Sequence, residues 1–238
     1  LTTDKEASSH SMSIWFKYDA ATPDQKDMTY FKNLYIDNLF SIMVNNRISE
    51  RLSKENPPFV FCQAYTGDIV RTKSIAGIYT SFKENEWKSA LTEACELVEN
   101  TRDHGFTQGE LKRAVLQMVS STENQYNKRD KKNNDSYAYE LKDHYLINEP
   151  VPGIEFTLKF VKAFLPTVSL VDVNAVAKRF FTNDNVLISY SGPEKEDLVY
   201  PTKEEILAVI NTVKTKELEP YVDSFVEKDL IEKLPAKG

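Results

Sequence analysis

The sequence predicts an α+β fold in which a mostly antiparallel sheet carries its helices on one face. Three observations predict it. Residues 59–80 read as two β-rich runs joined by a tight turn, so strands are linked as a hairpin and not through crossover helices. Capped helical segments crowd the stretch after residue 85 instead of alternating one for one with strands. Only 7 glycines in 238 residues argue against a loop-built protein, and 41% hydrophobic with 28% charged residues is the balance of a packed globular chain. A chain of this length buries about 70–75% of its unfolded surface, enough for a core without staples.

Residues 11–18 alternate, with Met12, Ile14, Phe16 and Tyr18 on one face, which predicts a strand. Thr22-Pro23-Asp24-Gln25 follows: Thr22 as N-cap, Pro23 at the first helical position and Gln25 closing a capping box predict a helix running to about Lys54. Asn56-Pro57-Pro58 stops it. Phe59–Thr66 and Ile69–Thr80, separated by Gly67-Asp68, predict the hairpin. A second helix sets Trp87, Ala90, Leu91, Ala94, Leu97 and Val98 on one face and ends near Gly105. Thr107 and Glu110 form another capping box, leading a helix with the stripe Leu111, Ala114, Val115, Met118, Thr122 and Tyr126.

Further helices are expected over about 135–146, over 154–165 up to Pro166, and after the Ser169–Asp172 cap. Residues 185–191 (NVLISYS) predict a strand, and Thr202–Glu205 caps a last helix whose inward stripe is Ile206, Val209, Ile210 and Val213. Residues 1–216 are expected to form one domain. Residues 217–238, with few packing groups beyond Tyr221, Phe225, Leu230 and Ile231, are expected to be a strap towards a following domain. A start at Leu1 without Met fits a piece of a longer protein.

A formal net charge of -6 opposes nucleic-acid binding, which needs clustered excess positive charge. The basic run Lys128–Lys132 reads as a solvated helix end, and no apolar run reaches the ~20 residues of a membrane span. Cys62 and Cys95 lack metal-ligand spacing and sit among core-facing residues, so they read as buried free thiols.

One stretch, Tyr139–Tyr145 (YELKDHY), resembles the H-x-x-E-H frame of inverted zinc peptidases. Glu140 stands where the first histidine would be and Asp143 where the glutamate would be. Glu140 and His144 share a helix face at i, i+4, but zinc needs a third donor. An acidic-to-basic i, i+4 pair is also an ordinary surface stabiliser, and that reading is preferred. His104, in Arg102-Asp103-His104-Gly105, is expected to cap its own helix C-terminus, and His10 carries no signal. Phosphate-cradling glycine loops and the G-x-S-x-G elbow are missing from the sequence, so no catalytic or metal residue is assigned, and no substrate-binding residue either.

Read as whole segments, the chain resembles a domain of the insulinase/pitrilysin family of zinc metallopeptidases. The matching segments are Thr3–Ala7, Met43–Leu52, Gly105–Leu111, His144–Pro150, Leu165–Asn174, Tyr200–Ile206 and Glu219–Val222, in that order. The resemblance implies homologous α+β domains enclosing a substrate chamber, with zinc held by H-x-x-E-H in a separate catalytic domain. This chain has no histidine between His10 and His104, where a catalytic copy would carry the motif. It therefore resembles a non-catalytic second domain of a bacterial zinc protease, needing no cofactor of its own. Implied partners are the zinc-bearing domain of the same polypeptide and a peptide or unfolded-protein substrate, in a periplasmic or other extracytoplasmic setting. Family members also use an arginine and a tyrosine to hold the substrate carbonyl. Arg51 is the nearest counterpart, but Phe59 replaces the tyrosine and cannot donate a hydrogen bond, so Arg51 is expected to pair with an acidic neighbour. The rival reading is a scaffolding or subunit-assembly module of the same fold, as in the silent core subunits of respiratory complexes. H-x-x-E-H upstream in the reading frame would favour the protease.

Overall fold

The computed structural model describes residues 1–196 and 198–225. Five strands form one sheet: β1 (Thr2–Asp4), β2 (His10–Asp19), β3 (Phe61–Val70), β4 (Lys73–Phe82) and β5 (Val186–Pro193), in the order β1-β5-β2-β4-β3. All pairings are antiparallel except β1 with β5, so the expected sheet class holds. The alternation in β2 places Met12, Ile14 and Phe16 in the core, as the pattern required.

Seven α-helices complete the described chain: α1 (Met28–Leu52), α2 (Trp87–His104), α3 (Gln108–Asn127), α4 (Asn134–Ile147), α5 (Ile154–Phe164), α6 (Leu170–Val176) and α7 (Lys203–Thr215). Helices α1 and α2 lie on the sheet, α3 and α6 pack on α1, and α7 packs on α2. The core runs from Met12, Ile14 and Phe16 through Leu39, Phe40, Met43 and Ile78 to Leu91, Val98 and Phe180. A satellite of rings, Phe31, Tyr35, Phe156, Phe160 and Phe164, at centroid separations of 4.9 to 6.2 Å, fastens α5 to α1. The Thr107/Glu110, Ser169/Asp172 and Thr202/Glu205 capping boxes all form.

Two expectations are corrected, and one strand was missed. The Thr22 box opens only a 3-10 turn, Pro23–Gln25; the chain breaks at Lys26, and α1 starts afresh because the Asp27 side chain accepts from the Thr29 and Tyr30 N–H groups. The hairpin turns at Arg71-Thr72, not Gly67-Asp68, which lie inside β3. A glycine-aspartate pair is a turn signal only when the flanking pattern breaks there, and here pairing continues past it with a register slip between Asp68 and Val70. β1 escaped the sequence reading because three residues carry no periodicity. The segment after α6 tightens into a 3-10 turn at Ala177–Arg179.

Gly105 ends α2 with φ +71°, and an added Cβ would sit 2.4 Å from Asn174 Nδ2. Only glycine fits, which fixes the sharp link from α2 into α3. The basic run behaves as expected, closing α3 in the exposed turn Arg129–Lys131. Leu230 and Ile231 of the expected strap lie outside the described residues.

Candidate functional site

The residues flagged by the zinc-like frame lie on α4. Glu140 pairs with Lys132 rather than with His144. The His144 ring donates from Nδ1 to the Glu149 carbonyl at 2.8 Å, closing the C-terminus of α4. The expected i, i+4 pair is therefore absent, because each partner finds a better-placed group nearer its own helix end. Among the described residues no three His, Cys, Asp or Glu side chains are grouped to hold a metal ion, so this frame does not fit zinc.

The other expected groups resolve as follows. His104 does not cap α2; its Nε2 donates to the Leu218 carbonyl at 2.6 Å, holding the C-terminal segment. His10 is buried, with Nδ1 2.8 Å from Tyr190 OH and its ring stacked on Phe82, a role its polar surroundings in sequence concealed. Arg51 pairs with Glu93, as expected, and Phe59 is core. Cys62 and Cys95 are buried free thiols; burial pushes Cys62 up to about 12 and raises Cys95 as well.

Sequence reasoning missed the site around Arg47. Its Nε and Nη2 reach Glu110 Oε1 and Oε2 at 2.7 and 2.9 Å, Nη1 reaches Asn100 Oδ1 at 3.1 Å, and Nη2 also donates to the Gly105 carbonyl at 2.9 Å. The guanidinium lies between the Phe106 and Tyr221 rings, 4.7 and 4.1 Å from their centroids. Tyr221 also donates to Glu50 at 2.8 Å, and burial together with that carboxylate raises its phenol above the usual range. Beyond it, Asp223 accepts from Arg113 and Thr107, both at 3.1 Å, and Arg113 covers the Phe225 ring. Residues 218–225 are thus laid into a groove made by α1, α2 and α3. A lone arginine in a helical stripe gave no signal, since only tertiary contact brings its five partners together.

Two surfaces are left without a partner among the described residues. Helix α4 has no buried residue along its 14 positions. It is tied down at its C-terminal end: Asn148 Nδ2 donates to the Pro23 carbonyl at 2.7 Å, and Glu149 accepts from Lys26 and Tyr30 at 2.6 and 3.1 Å. Tyr137, Leu141 and Tyr145, spaced i, i+4, i+8, form a stripe that is 45%, 62% and 87% exposed. The second surface is the sheet face away from the buried Met12, Ile14 and Phe16. There Trp15 Nε1 donates to Tyr65 OH at 2.9 Å, and Phe61 and Tyr79 meet at 5.9 Å, all at least partly exposed.

The fold is that of the insulinase/pitrilysin-type protease domain, as the segment resemblance implied. No family model matches the chain. Among solved structures, the chain is similar to the first half of the periplasmic protease PqqL from Escherichia coli, with a TM-score of 0.81 and 15% identity over 93% of this chain and 47% of that one. It is also similar to a predicted insulinase family protease from Yersinia pestis, with a TM-score of 0.73 and 12% identity over 89% of this chain and 45% of that one. A zinc protease PQQL-like protein of Arabidopsis thaliana is 22% identical over 233 residues, 98% of this chain. The chain spans 21% of the length of that curated relative. Among the described residues no single helix is long and apolar enough to cross a membrane.

Proposed function

We propose that this chain is a non-catalytic, peptidase-like domain of a zinc metalloendopeptidase, packing on the zinc-bearing domain and forming part of the wall of a substrate chamber. The observation that carries the reading is α4, a whole helix with no buried side chain and an apolar stripe. A helix in that state buries no side chain within its own domain and is held mainly at its C-terminal end, and an exposed apolar stripe rimmed by Lys132, Glu140 and Lys142 is the character of an interface. The half-exposed aromatic sheet face supports the wall, because rings offer apolar area to any unfolded peptide without demanding one sequence. The separation of Glu140 from His144 supports the non-catalytic assignment, and zinc belongs to the neighbouring domain in this reading.

The implied location is extracytoplasmic, on the likeness to a periplasmic protease. Isothermal titration of the chain with zinc tests the assignment. We expect no stoichiometric tight binding, and tight binding at one site per chain would overturn it.

A further inference from the structure

The strand β3 lies at the edge of the sheet and pairs only with β4. From Phe59 to Gly67 the chain reads FVFCQAYTG, without a charge or a proline and rich in β-forming residues. Such a run on an open edge is a template for another strand, since its outward N–H and C=O groups are unpaired. On the opposite edge the 3 residues of β1 pair only with Ser191, Gly192 and Pro193 of β5. β3 has 10 and needs a protecting device.

At the middle of β3 stands the side chain of Asn45 from α1. Its Oδ1 accepts from the Ala64 N–H at 3.0 Å, and its Nδ2 donates to the Ala64 carbonyl at 2.7 Å. A carboxamide offers a donor and an acceptor in one plane, as a peptide group does, so Asn45 fills the outward pair of Ala64 as a residue of a neighbouring strand would. Nδ2 also donates to the Ser41 carbonyl at 2.6 Å, one turn back in α1, so the amide is held in place. Outward groups recur every second residue, and the next ones belong to Cys62 and Thr66. A strand approaching from either direction meets the amide within two residues. Farther along, the ladder to β4 slips register between Asp68 and Val70, an irregularity that interrupts a regular edge.

We infer that Asn45 is a gatekeeper that closes the β3 edge and keeps a second copy of this chain from extending the sheet through its own β3. The inference stands apart from the proposed function, because it concerns the uncharged edge and holds whether or not the parent protein cleaves peptides.

The test compares the full chain with Asn45→Ala and with Asn45→Ala/Thr66→Pro by sedimentation velocity over a concentration series, alongside amide exchange at Ala64. Proline at 66 removes an outward donor without touching the ladder to β4. We expect Ala64 exchange at least about tenfold faster in Asn45→Ala, from the loss of about 1.4 kcal/mol of amide bonding. We also expect concentration-dependent dimers, and their disappearance in the double variant. A folded Asn45→Ala that stays monomeric overturns the inference, as does association that the proline leaves unchanged. If Asn45→Ala does not fold, Asn45→Asp retains an acceptor for the Ala64 N–H while removing the donor. Association above the parent chain then supports the inference, and a monomer overturns it.

Discussion

Arg47 and Glu110 form a two-pronged ion pair, Nε to Oε1 at 2.7 Å and Nη2 to Oε2 at 2.9 Å, with only 3% and 6% of the two side chains exposed. Glu110 is also the third residue of α3 and closes its capping box, accepting from the Thr107 N–H at 2.8 Å. One carboxylate therefore caps a helix and neutralises a buried guanidinium. Breaking such a pair from one side leaves a buried charge and costs about 3–5 kcal/mol. Arg47→Ala is expected to lower stability in urea by that amount. Because the pair is coupled, Arg47→Met/Glu110→Leu is expected to cost less than the sum of the two single changes.

Tyr221 seals this pair from outside. Tyr221→Phe keeps the ring over Arg47 and loses only the bond to Glu50, an expected cost of about 0.5–1.5 kcal/mol. Tyr221→Ala uncovers the guanidinium and frees the segment held by Asn100, His104 and Arg113. Limited trypsin digestion should then cut after Lys216 faster in Tyr221→Ala than in Tyr221→Phe. Equal rates would mean that the ring does not latch the segment.

Glu99 is completely buried on α2, with Arg102 against one oxygen but neither oxygen in a well-aligned hydrogen bond. Burial raises its carboxyl above the ordinary range, opposed by Arg102 and Lys214 and reinforced by Asp103. A raised carboxyl favours the protonated form in the folded state. Its contribution is therefore full below the ordinary glutamate value of about 4.3 and is lost as pH rises through the folded value. Glu99→Gln should remove that part of the decline. Urea midpoints taken on both sides of that window are the measurement, and an unchanged pH slope would contradict the account.

Cys62 and Cys95 are buried, and their thiols are held far above neutral pH. The thiolate is the reactive form. A disulfide reagent should leave both unmodified in the folded chain and label both in denaturant, without forming a Cys62–Cys95 bridge beforehand.

Leu141 and Tyr145 make no core contact, so Leu141→Asp and Tyr145→Arg should change the stability of this chain by no more than about 0.5 kcal/mol. If α4 docks on a zinc-bearing domain as proposed, the same changes in the full-length protein should weaken that docking, read as faster proteolysis between domains. Unchanged docking would move the proposed interface elsewhere.

The sequence by itself determined what local pattern encodes: the alternation of β2, the helical stripes, the four Thr or Ser capping boxes, the buried thiols and the sheet class. These depend on residues within a few positions of one another, where sterics and backbone hydrogen bonding decide. It misplaced the hairpin turn because Gly67-Asp68 is a turn signal that the long pairing of β3 with β4 overrides. Only the tertiary structure decided that Arg47 meets Glu110 and Tyr221, across 63 and 174 positions, that His104 holds Leu218 instead of its own helix, and that Asn45 pairs with the β3 edge. Each of those choices depends on which surfaces burial brings together, and a charged or polar side chain carries the same local signal whether it ends in solvent or in a partner's reach.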